Sequence, residues 1–317
     1  MYASVDLGGT TVACAVVSAD GRILAEKPIP TQSHEGPPAV MARISQLVLA
    51  LAREAGEKPA AVGMGVPGLV DLGRGRTRFL PNLPTQWRDV PVAETLAHEI
   101  GCPVFLLNDA RLATLGELVY GHGRSARSMV FFTLGTGVGG GIVIDGKLRL
   151  GPLGAAGEVG HQTVVPDGLV CGCGNRGCLE TVASGPAISA EGIRLMRSGL
   201  APKLFEITGG EASAVGPAEM AQAAAAGEPT VREAILRAAR YLGIGAANLV
   251  SALHPELIVL GGGVAAIGDL LIDEVRAEML QRVRMFPADG VRVERSLLAD
   301  KAGLWGGIAL AMRGGAV

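Results

Sequence analysis

The sequence predicts an α/β protein made of two similar halves. Short apolar runs of strand length alternate with longer runs of helical period along its 317 residues. One pattern also occurs twice: an apolar strand, a turn rich in glycine and threonine, a second strand and an Asp-Gly turn, at residues 2–21 and again at 129–146. This recurrence indicates an internal duplication in which each half opens with a hairpin that carries Gly and Thr at its tip.

The elements of the first half follow from local periodicity. Strands are predicted at 2–7 and 12–17, and Asp20-Gly21 favours a hairpin turn into a third strand. Residues 37–55 have helical period, with Val40, Ile44 and Leu47 on one face. The remaining predicted elements are a buried strand at 61–66, a helix at 92–100, a strand at 104–107 and a helix at 112–119.

The second half repeats the hairpin, with strands at 129–134 and 142–144 around a glycine turn at 135–141, and a short strand at 147–149. Helices are predicted within the Ala-rich residues 218–253, at 269–284 and at 303–312, and strands at 257–260 and 291–294. We expect a small N-terminal domain of residues 1–108 plus 301–317. Residues 109–300 would form a larger α/β domain that contains a cysteine-rich loop.

Composition limits the classes of function. Hydrophobic residues make up 49% of the chain and aromatic residues only 3%, so the core must consist mainly of Ala, Val, Leu and Ile. The formal net charge of −2 provides no basic surface for nucleic acid or for a membrane. With neither a signal peptide nor an apolar run of membrane length, the sequence predicts a cytoplasmic protein.

One histidine and three cysteines lie within eighteen positions and offer a complete ligand set for tetrahedral zinc: His161, Cys171, Cys173 and Cys178. The glycines between the cysteines permit the tight turns of a metal-binding knuckle and leave little apolar surface to bury. The alternatives are free thiols or a redox role. Because the protein fills all four positions, the zinc would be structural.

Two glycine-rich hairpin tips are candidate phosphate sites, because their unobstructed backbone N–H groups can cradle phosphate oxygens. They comprise Gly8, Gly9, Thr10 and Thr11 in the first half and Gly135, Thr136 and Gly137 in the second. The second tip matches the dinucleotide pattern G-x-G-x-x-G but leads into a strand, whereas that fingerprint must open a helix. A plain tight turn is the alternative for either tip.

A third glycine run follows the predicted strand at 257–260 and includes Gly262 and Gly263. It is either a close-packed turn or a backbone platform for the sugar and base of a nucleotide.

Two acids at predicted strand ends are candidates for phosphoryl-transfer chemistry. Asp109 could accept a proton from an attacking hydroxyl and orient it, or it could only cap the following helix. Asp6, beside the first glycine tip, would suit Mg²⁺ held through water.

These motifs resemble the ROK family of repressors, open-reading-frame proteins and sugar kinases, in the order in which that family carries them. The resemblance runs from residue 2 to about 312, and its most specific part is the cysteine segment. Two positions differ, since Thr11 stands where many relatives carry Lys and Arg111 where Asn is frequent. The family has the actin-like ATPase fold, in which two duplicated ribonuclease-H-like domains surround a cleft.

The resemblance implies a role for each matching residue. Asp109 would be the catalytic base, and the two glycine tips would hold the phosphates of ATP. Sugar hydroxyls would be bound near the anomeric end by Glu158, His161 and Glu180, and at the far end by Gly65, Asn82, Asn108 and Asp109. His161 would bind zinc through one ring nitrogen and sugar through the other.

We therefore expect an ATP-dependent hexokinase that uses Mg²⁺ and makes glucose 6-phosphate. The alternatives are an N-acetylmannosamine, N-acetylglucosamine or fructose kinase of the same family. A sugar-responsive repressor is disfavoured, because the first phosphate tip begins too early to leave room for a preceding helix-turn-helix. The resemblance also implies a homodimer or homotetramer.

Overall fold

A computed structural model of the chain describes residues 1–80 and 83–317. The chain forms two compact units: unit 1 consists of Met1–Ser125, Asp145–Gly157 and Lys301–Val317, and unit 2 consists of Ala126–Ile144 and Glu158–Asp300. Residues 109–125 and 145–157 thus belong to the same compact unit as the N-terminus, whereas the sequence analysis assigned them to the larger domain.

Unit 1 is built on a sheet whose strand order is β3-β2-β1-β4-β7. The pairs β1/β2 and β2/β3 are antiparallel, while β4 is parallel to both β1 and β7. The five strands are β1 (Tyr2–Leu7), β2 (Thr11–Val17), β3 (Ile23–Pro30), β4 (Val62–Val66) and β7 (Val104–Asn108). The other elements of unit 1 are β5 (Leu69–Asp71), β6 (Arg76–Phe79), β10 (Lys147–Arg149), α1 (Pro37–Ala55), α2 (Val92–Ile100), α3 (Asp109–Tyr120) and α10 (Ala302–Met312).

The three parallel strands end at the same edge of this sheet and bring the polar residues of unit 1 together. Asp6 of β1 is in register with Gly65 of β4, and Val66 is in register with Asn108, the last residue of β7. Since α3 begins at Asp109, its first residue lies at this edge.

Helix α3 is held in place by close packing against α10, which glycines on both helices make possible. A Cβ on Gly116 of α3 would lie 2.2 Å from the carbonyl oxygen of Ala302, and one on Gly306 of α10 would lie 1.8 Å from that of Leu112. The backbones therefore touch at two points, which explains why α3 belongs to the unit that contains the C-terminal helix.

Unit 2 repeats the hairpin-and-parallel arrangement with the strand order β9-β8-β11-β12. The pair β8/β9 is antiparallel, and β11 is parallel to both β8 and β12. Its strands are β8 (Met129–Leu134), β9 (Val138–Ile144), β11 (Leu257–Gly261) and β12 (Arg292–Arg295). Its helices are α4 (Glu180–Ala183), α5 (Gly185–Arg197), α6 (Pro202–Thr208), α7 (Pro217–Ala225), α8 (Pro229–Leu253) and α9 (Asp269–Arg282).

The shared topology confirms the internal duplication, but the predicted extent of the second glycine turn is wrong. The sequence analysis treated residues 135–141 as a turn, yet β9 already begins at Val138. Gly139, Gly140 and Gly141 pair with residues of β8. Gly140 is required there because a Cβ would lie 2.1 Å from the carbonyl oxygen of Phe131.

Among the helices of residues 1–80 and 83–317, we find none with the length and apolar content needed to cross a membrane.

Candidate functional site

The acidic edge of unit 1 brings Asp109, Asp6 and Gly65 together. A Cβ on Gly65 would lie 3.5 Å from the Cα of Asp109 and 3.2 Å from Oδ1 of Asp6, so the missing side chain makes room for both acids. Burial and the charge of Asp109 together raise the pKa of Asp6 to about 6. Two carboxylates therefore lie together at the end of the sheet, and one of them has a raised pKa. Such a pair can bind a cation or accept a proton from a hydroxyl group.

The N-terminus of α3 is capped by Asn108. Its Oδ1 accepts hydrogen bonds from the backbone N–H groups of Ala110 and Arg111, at 3.1 and 3.2 Å, and its amide donates to the carbonyl of Gly68 at 3.2 Å. Asn108 thus supplies most of the helix cap that the sequence analysis considered as the alternative role of Asp109. Oδ1 of Asp109 does accept from Ala110 N–H at 2.7 Å, and this half-buried side chain stands at the positive end of the helix.

The first glycine tip is a tight turn closed by a 2.9 Å hydrogen bond from Gly8 N–H to the carbonyl of Thr11. Two residues of the segment after β3 also hydrogen-bond to this turn. The Thr31 hydroxyl donates to Gly8 O at 2.8 Å and the Ser33 hydroxyl to Gly9 O at 3.2 Å. Thr10 and Thr11 are exposed, so their hydroxyls are available to a ligand.

The support for this tip includes a cation that the sequence analysis missed. Arg43 of α1 donates through Nη1 to the carbonyl of Thr31 at 2.6 Å and is also paired with Glu35. Thr31 N–H in turn donates to the carbonyl of Thr10 at 2.8 Å. Helical period places Arg43 on α1 but gives no signal that it would contact residues 31–35.

The second glycine tip lies in unit 2 and is equally tight. Gly135 N–H donates to the carbonyl of Gly137 at 2.9 Å, and Gly185 N–H at the start of α5 donates to the carbonyl of Gly135 at 2.8 Å. Thr136 at the tip is exposed.

Glu180, the first residue of α4, lies against this second tip. Its Oε2 accepts a 3.0 Å hydrogen bond from Val138 N–H, and a Cβ on Gly137 would lie only 2.3 Å from the same oxygen. The glycine therefore leaves the space that this carboxylate occupies. Glu180 is half-buried and is held in place by the backbone of the tip.

The third glycine run lies beside the second tip. Gly262 has a φ of 82°, and a Cβ on it would lie 2.5 Å from the carbonyl oxygen of Leu134, so close packing requires glycine at this position. Gly263 faces open space, because a Cβ on it would meet no atom of the described residues within 4 Å. Gly262 thus fits the close-packed turn, and Gly263 leaves free backbone that a ligand could approach.

The predicted metal ligands converge within unit 2. The ligand atoms of His161, Cys171, Cys173 and Cys178 all lie within 4.8 Å of one another. The Sγ atoms of Cys173 and Cys178 are 3.7 Å apart, and Cys171 Sγ is 3.6 Å from His161 Nδ1. A zinc ion with Zn–S bonds of about 2.3 Å requires ligands about 3.8 Å apart in a tetrahedron, so the residues fit zinc.

The histidine of this cluster also contacts one of the two glutamates. While Nδ1 of His161 faces the cysteines, its Nε2 lies 3.8 Å from Oε2 of the exposed Glu158. Cys171 Sγ lies 3.6 Å from Oε1 of Glu180. Both predicted sugar-binding carboxylates of unit 2 therefore lie next to a metal-ligand side chain.

Of the remaining predicted site residues, Asn82 lies outside the described residues. Arg111, to which the sequence assigned no role, is fully buried and donates hydrogen bonds to Asn108 and to a distant loop. Its only signal in the sequence is its occurrence where relatives frequently carry Asn.

Known proteins resemble this chain over most of its length. The model of the ROK family matches residues 2–313. The glucokinase of Streptomyces coelicolor is 37% identical over 276 residues, which cover 86% of this chain and 84% of that protein. The glucokinase of Thermotoga maritima is 36% identical over 309 residues, covering 96% and 95% of the two chains.

A solved structure has the same fold. The ROK family glucokinase of Streptomyces griseus, in complex with glucose and AMPPNP, superimposes with a TM-score of 0.86 at 34% identity and covers 98% of this chain and 99% of that one. The two α/β units are those of the actin-like ATPase fold. The match to the family model across nearly the whole chain, together with these relatives, shows that the protein belongs to the ROK family.

Proposed function

We propose that this protein is an ATP-dependent glucokinase, which transfers the γ-phosphoryl group of ATP to the 6-hydroxyl of glucose. The observation that carries this proposal is the position of Asp109. It is the first residue of α3 and lies beside Asp6 and Gly65, at the end of the sheet of unit 1. Glucokinase relatives at 36% and 37% identity over most of the chain support the choice of glucose.

Asp109 acts as the general base of the reaction. The 6-hydroxyl oxygen forms a bond to the γ-phosphorus while the bond from that phosphorus to the bridging β–γ oxygen breaks, and ADP leaves. The hydroxyl proton passes to a carboxylate oxygen of Asp109. In phosphoryl transfer such a carboxylate contributes mainly by orienting the hydroxyl.

The phosphates of ATP are bound by the two glycine tips, through backbone N–H groups and the hydroxyls of Thr10, Thr11 and Thr136. Asp6 would help to hold Mg²⁺, and this ion would neutralise charge on the phosphates. Gly262 and Gly263 face the nucleoside. Since Thr11 is uncharged, the backbone of the first tip must supply the attraction that Lys gives in many relatives.

Glucose is bound by Glu158, His161 and Glu180 near its anomeric end, and by Asn108, Asp109, Asn82 and Gly65 near the reacting hydroxyl. Oδ1 of Asn108 already serves as the helix cap, so this residue contacts sugar through the second hydrogen of its amide. His161 and the three cysteines would hold a structural zinc ion, and a metal on Nδ1 of His161 would leave its Nε2 to contact a sugar hydroxyl.

A coupled assay of ADP release tests this proposal, with MgATP and a panel of glucose, mannose, fructose, N-acetylglucosamine and N-acetylmannosamine. We expect kcat/KM to be highest for glucose. A preference for an N-acetylated sugar would retain the kinase mechanism but overturn the choice of substrate. Absence of turnover with every sugar of the panel would overturn the kinase assignment.

Two further properties are part of the proposal. None of the five cysteines, all within the described residues, forms a disulfide, which suits the reducing environment of the cytoplasm and a thiolate-bound metal. The active form is a homodimer or homotetramer, as the resemblance to the family implies. Light scattering during gel filtration measures the mass and distinguishes these forms from a monomer.

A further inference from the structure

Arg111 occupies a position that helix stability does not explain. It lies in the first turn of α3, where the positive end of the helix dipole disfavours a cation. Its side chain is also only 1% exposed, and burying a charged group is costly unless polar partners compensate. The hydrogen bonds of the guanidinium must therefore compensate for its burial.

Those contacts join two separate segments of unit 1. Nη1 donates to Oδ1 of Asn108 at 3.0 Å, Nε donates to the carbonyl of Ala156 at 2.9 Å, and Nη2 donates to the carbonyl of Ala155 at 2.9 Å. One side of the planar group thus holds the helix cap beside Asp109. The other side holds two consecutive carbonyls that are 44 and 45 positions away along the chain.

The segment that receives these hydrogen bonds has no regular structure of its own. Residues 150–158 form neither helix nor strand, and Gly151, Gly154 and Gly157 have φ angles of 66°, 72° and 93°. Glycine-rich backbone loses much conformational entropy when it is ordered. The segment leads directly to Glu158, which the proposed function assigns to sugar binding.

We propose that Arg111 is a positioning residue of the sugar site, a role that rests on the proposed function. Its guanidinium fixes Asn108 and the start of α3, where Asp109 must meet the 6-hydroxyl, and it fixes the backbone that leads to Glu158. A single side chain thereby orders both the start of α3 and the loop backbone at Ala155 and Ala156. In this role Arg111 acts through Asn108 and the backbone of Ala155 and Ala156.

Lysine cannot reproduce this arrangement. The guanidinium presents several N–H groups in one rigid plane, whereas the ammonium of Lys is a compact donor on a flexible stem. It could reach Asn108 or one of the two carbonyls, but not all three acceptors in the observed geometry. Arg111→Lys keeps the positive charge but removes the planar set of N–H donors, and Arg111→Met removes both.

The test measures kcat and KM for glucose and for MgATP in the full-length protein, per folded active site, with Arg53→Met as a matched control on an exposed face of α1. We expect Arg111→Met to raise the KM for glucose and lower kcat/KM by on the order of tenfold to a hundredfold, with the KM for MgATP within about twofold of wild type. Arg111→Lys should show the same selective rise, and it provides the readout if Arg111→Met does not fold.

A purely structural role would give a different result. The melting temperature and the yield of folded protein would fall, while the KM for glucose of the folded variants stayed at the wild-type value, and this would overturn the proposal. Wild-type turnover in the same assay separates the two hypotheses. An active wild-type enzyme with unchanged variant KM values contradicts the role of Arg111 alone, whereas an inactive wild type contradicts the proposed function and this role with it.

Discussion

Replacing Asp6 with Asn should make the protein more stable and less active. Asp6 lies at the end of β1, where Gly65 and Gly303 leave space for its two oxygens and Asp109 is a neighbouring acid. Burial, followed by the charge of Asp109, raises the pKa of Asp6 from 3.8 to about 6. At neutral pH the folded protein therefore holds a carboxylate whose ionised form is disfavoured. Asn keeps the shape and removes the charge.

The change in the free energy of unfolding follows from the linkage between folding and protonation of Asp6. Because the pKa of Asp6 is higher in the folded protein, the folded protein retains a proton that the unfolded chain loses between the two pKa values. The free energy of unfolding therefore decreases as the pH rises from about 4 to about 6 and is then level. At about 1.4 kcal/mol per pKa unit, the penalty at pH 7.5 amounts to about 3 kcal/mol at most, and Asn removes it.

Thermal melting of wild type and Asp6→Asn without Mg²⁺ or nucleotide measures this difference. We expect the variant to melt several degrees higher at pH 7.5, with most of the gain lost by pH 4. Asp20→Asn is the control, because Ser18 and Arg22 lower the pKa of that exposed residue and its removal should not stabilise the fold. An Asp6→Asn protein that melts at or below wild type at pH 7.5 would refute the reasoning, as would a gain that is the same at pH 4.

Three further substitutions test the remaining site residues. Asp109→Asn should lower kcat by on the order of a hundredfold or more while the melting temperature and glucose binding stay near wild type, and near-normal turnover would exclude it as the base. Cys173→Ser should lose bound zinc and raise the KM for glucose, whereas a retained stoichiometric metal, measured by elemental analysis, would contradict the ligand set. Gly137→Ala should raise the KM for glucose, because its Cβ would lie 2.3 Å from Glu180, while Gly290→Ala, which lies outside the proposed site and whose Cβ meets open space, serves as the control.

Helix positions in unit 1 could be predicted because the signals are local. The boundaries predicted for α1 and α2 agree with the observed Pro37–Ala55 and Val92–Ile100. In each case an apolar face of helical period ends at a glycine in the left-handed conformation, Gly56 with a φ of 74° and Gly101 with a φ of 83°. The recurrence of the hairpin pattern likewise depends on short stretches of sequence, and the two sheets share its topology.

Features that depend on distant partners could not be predicted. Gly139 to Gly141 were interpreted as a turn, since glycine favours turns, but they pair with β8, and at Gly140 the backbone of Phe131 leaves no room for a side chain. Two of the partners of Arg111 lie 44 and 45 residues away in a loop that has no periodic pattern. The same holds for Arg43, whose contact with Thr31 is set by how α1 packs.

The geometry around the metal cluster indicates how a structural ion could influence sugar binding without touching the sugar. His161 turns Nδ1 toward Cys171 and Nε2 toward Glu158, so a metal bound at Nδ1 would fix the ring plane and with it the group that faces this carboxylate. The carboxylate of Glu180 has a neighbour at each oxygen. Oε2 accepts a hydrogen bond from Val138 N–H, and Oε1 lies 3.6 Å from Cys171 Sγ. Loss of the ion would loosen the side chains of His161 and Cys171 beside the two carboxylates but leave the backbone hydrogen bonds of the glycine tip intact. Metal removal should therefore weaken the binding of glucose more than the binding of ATP.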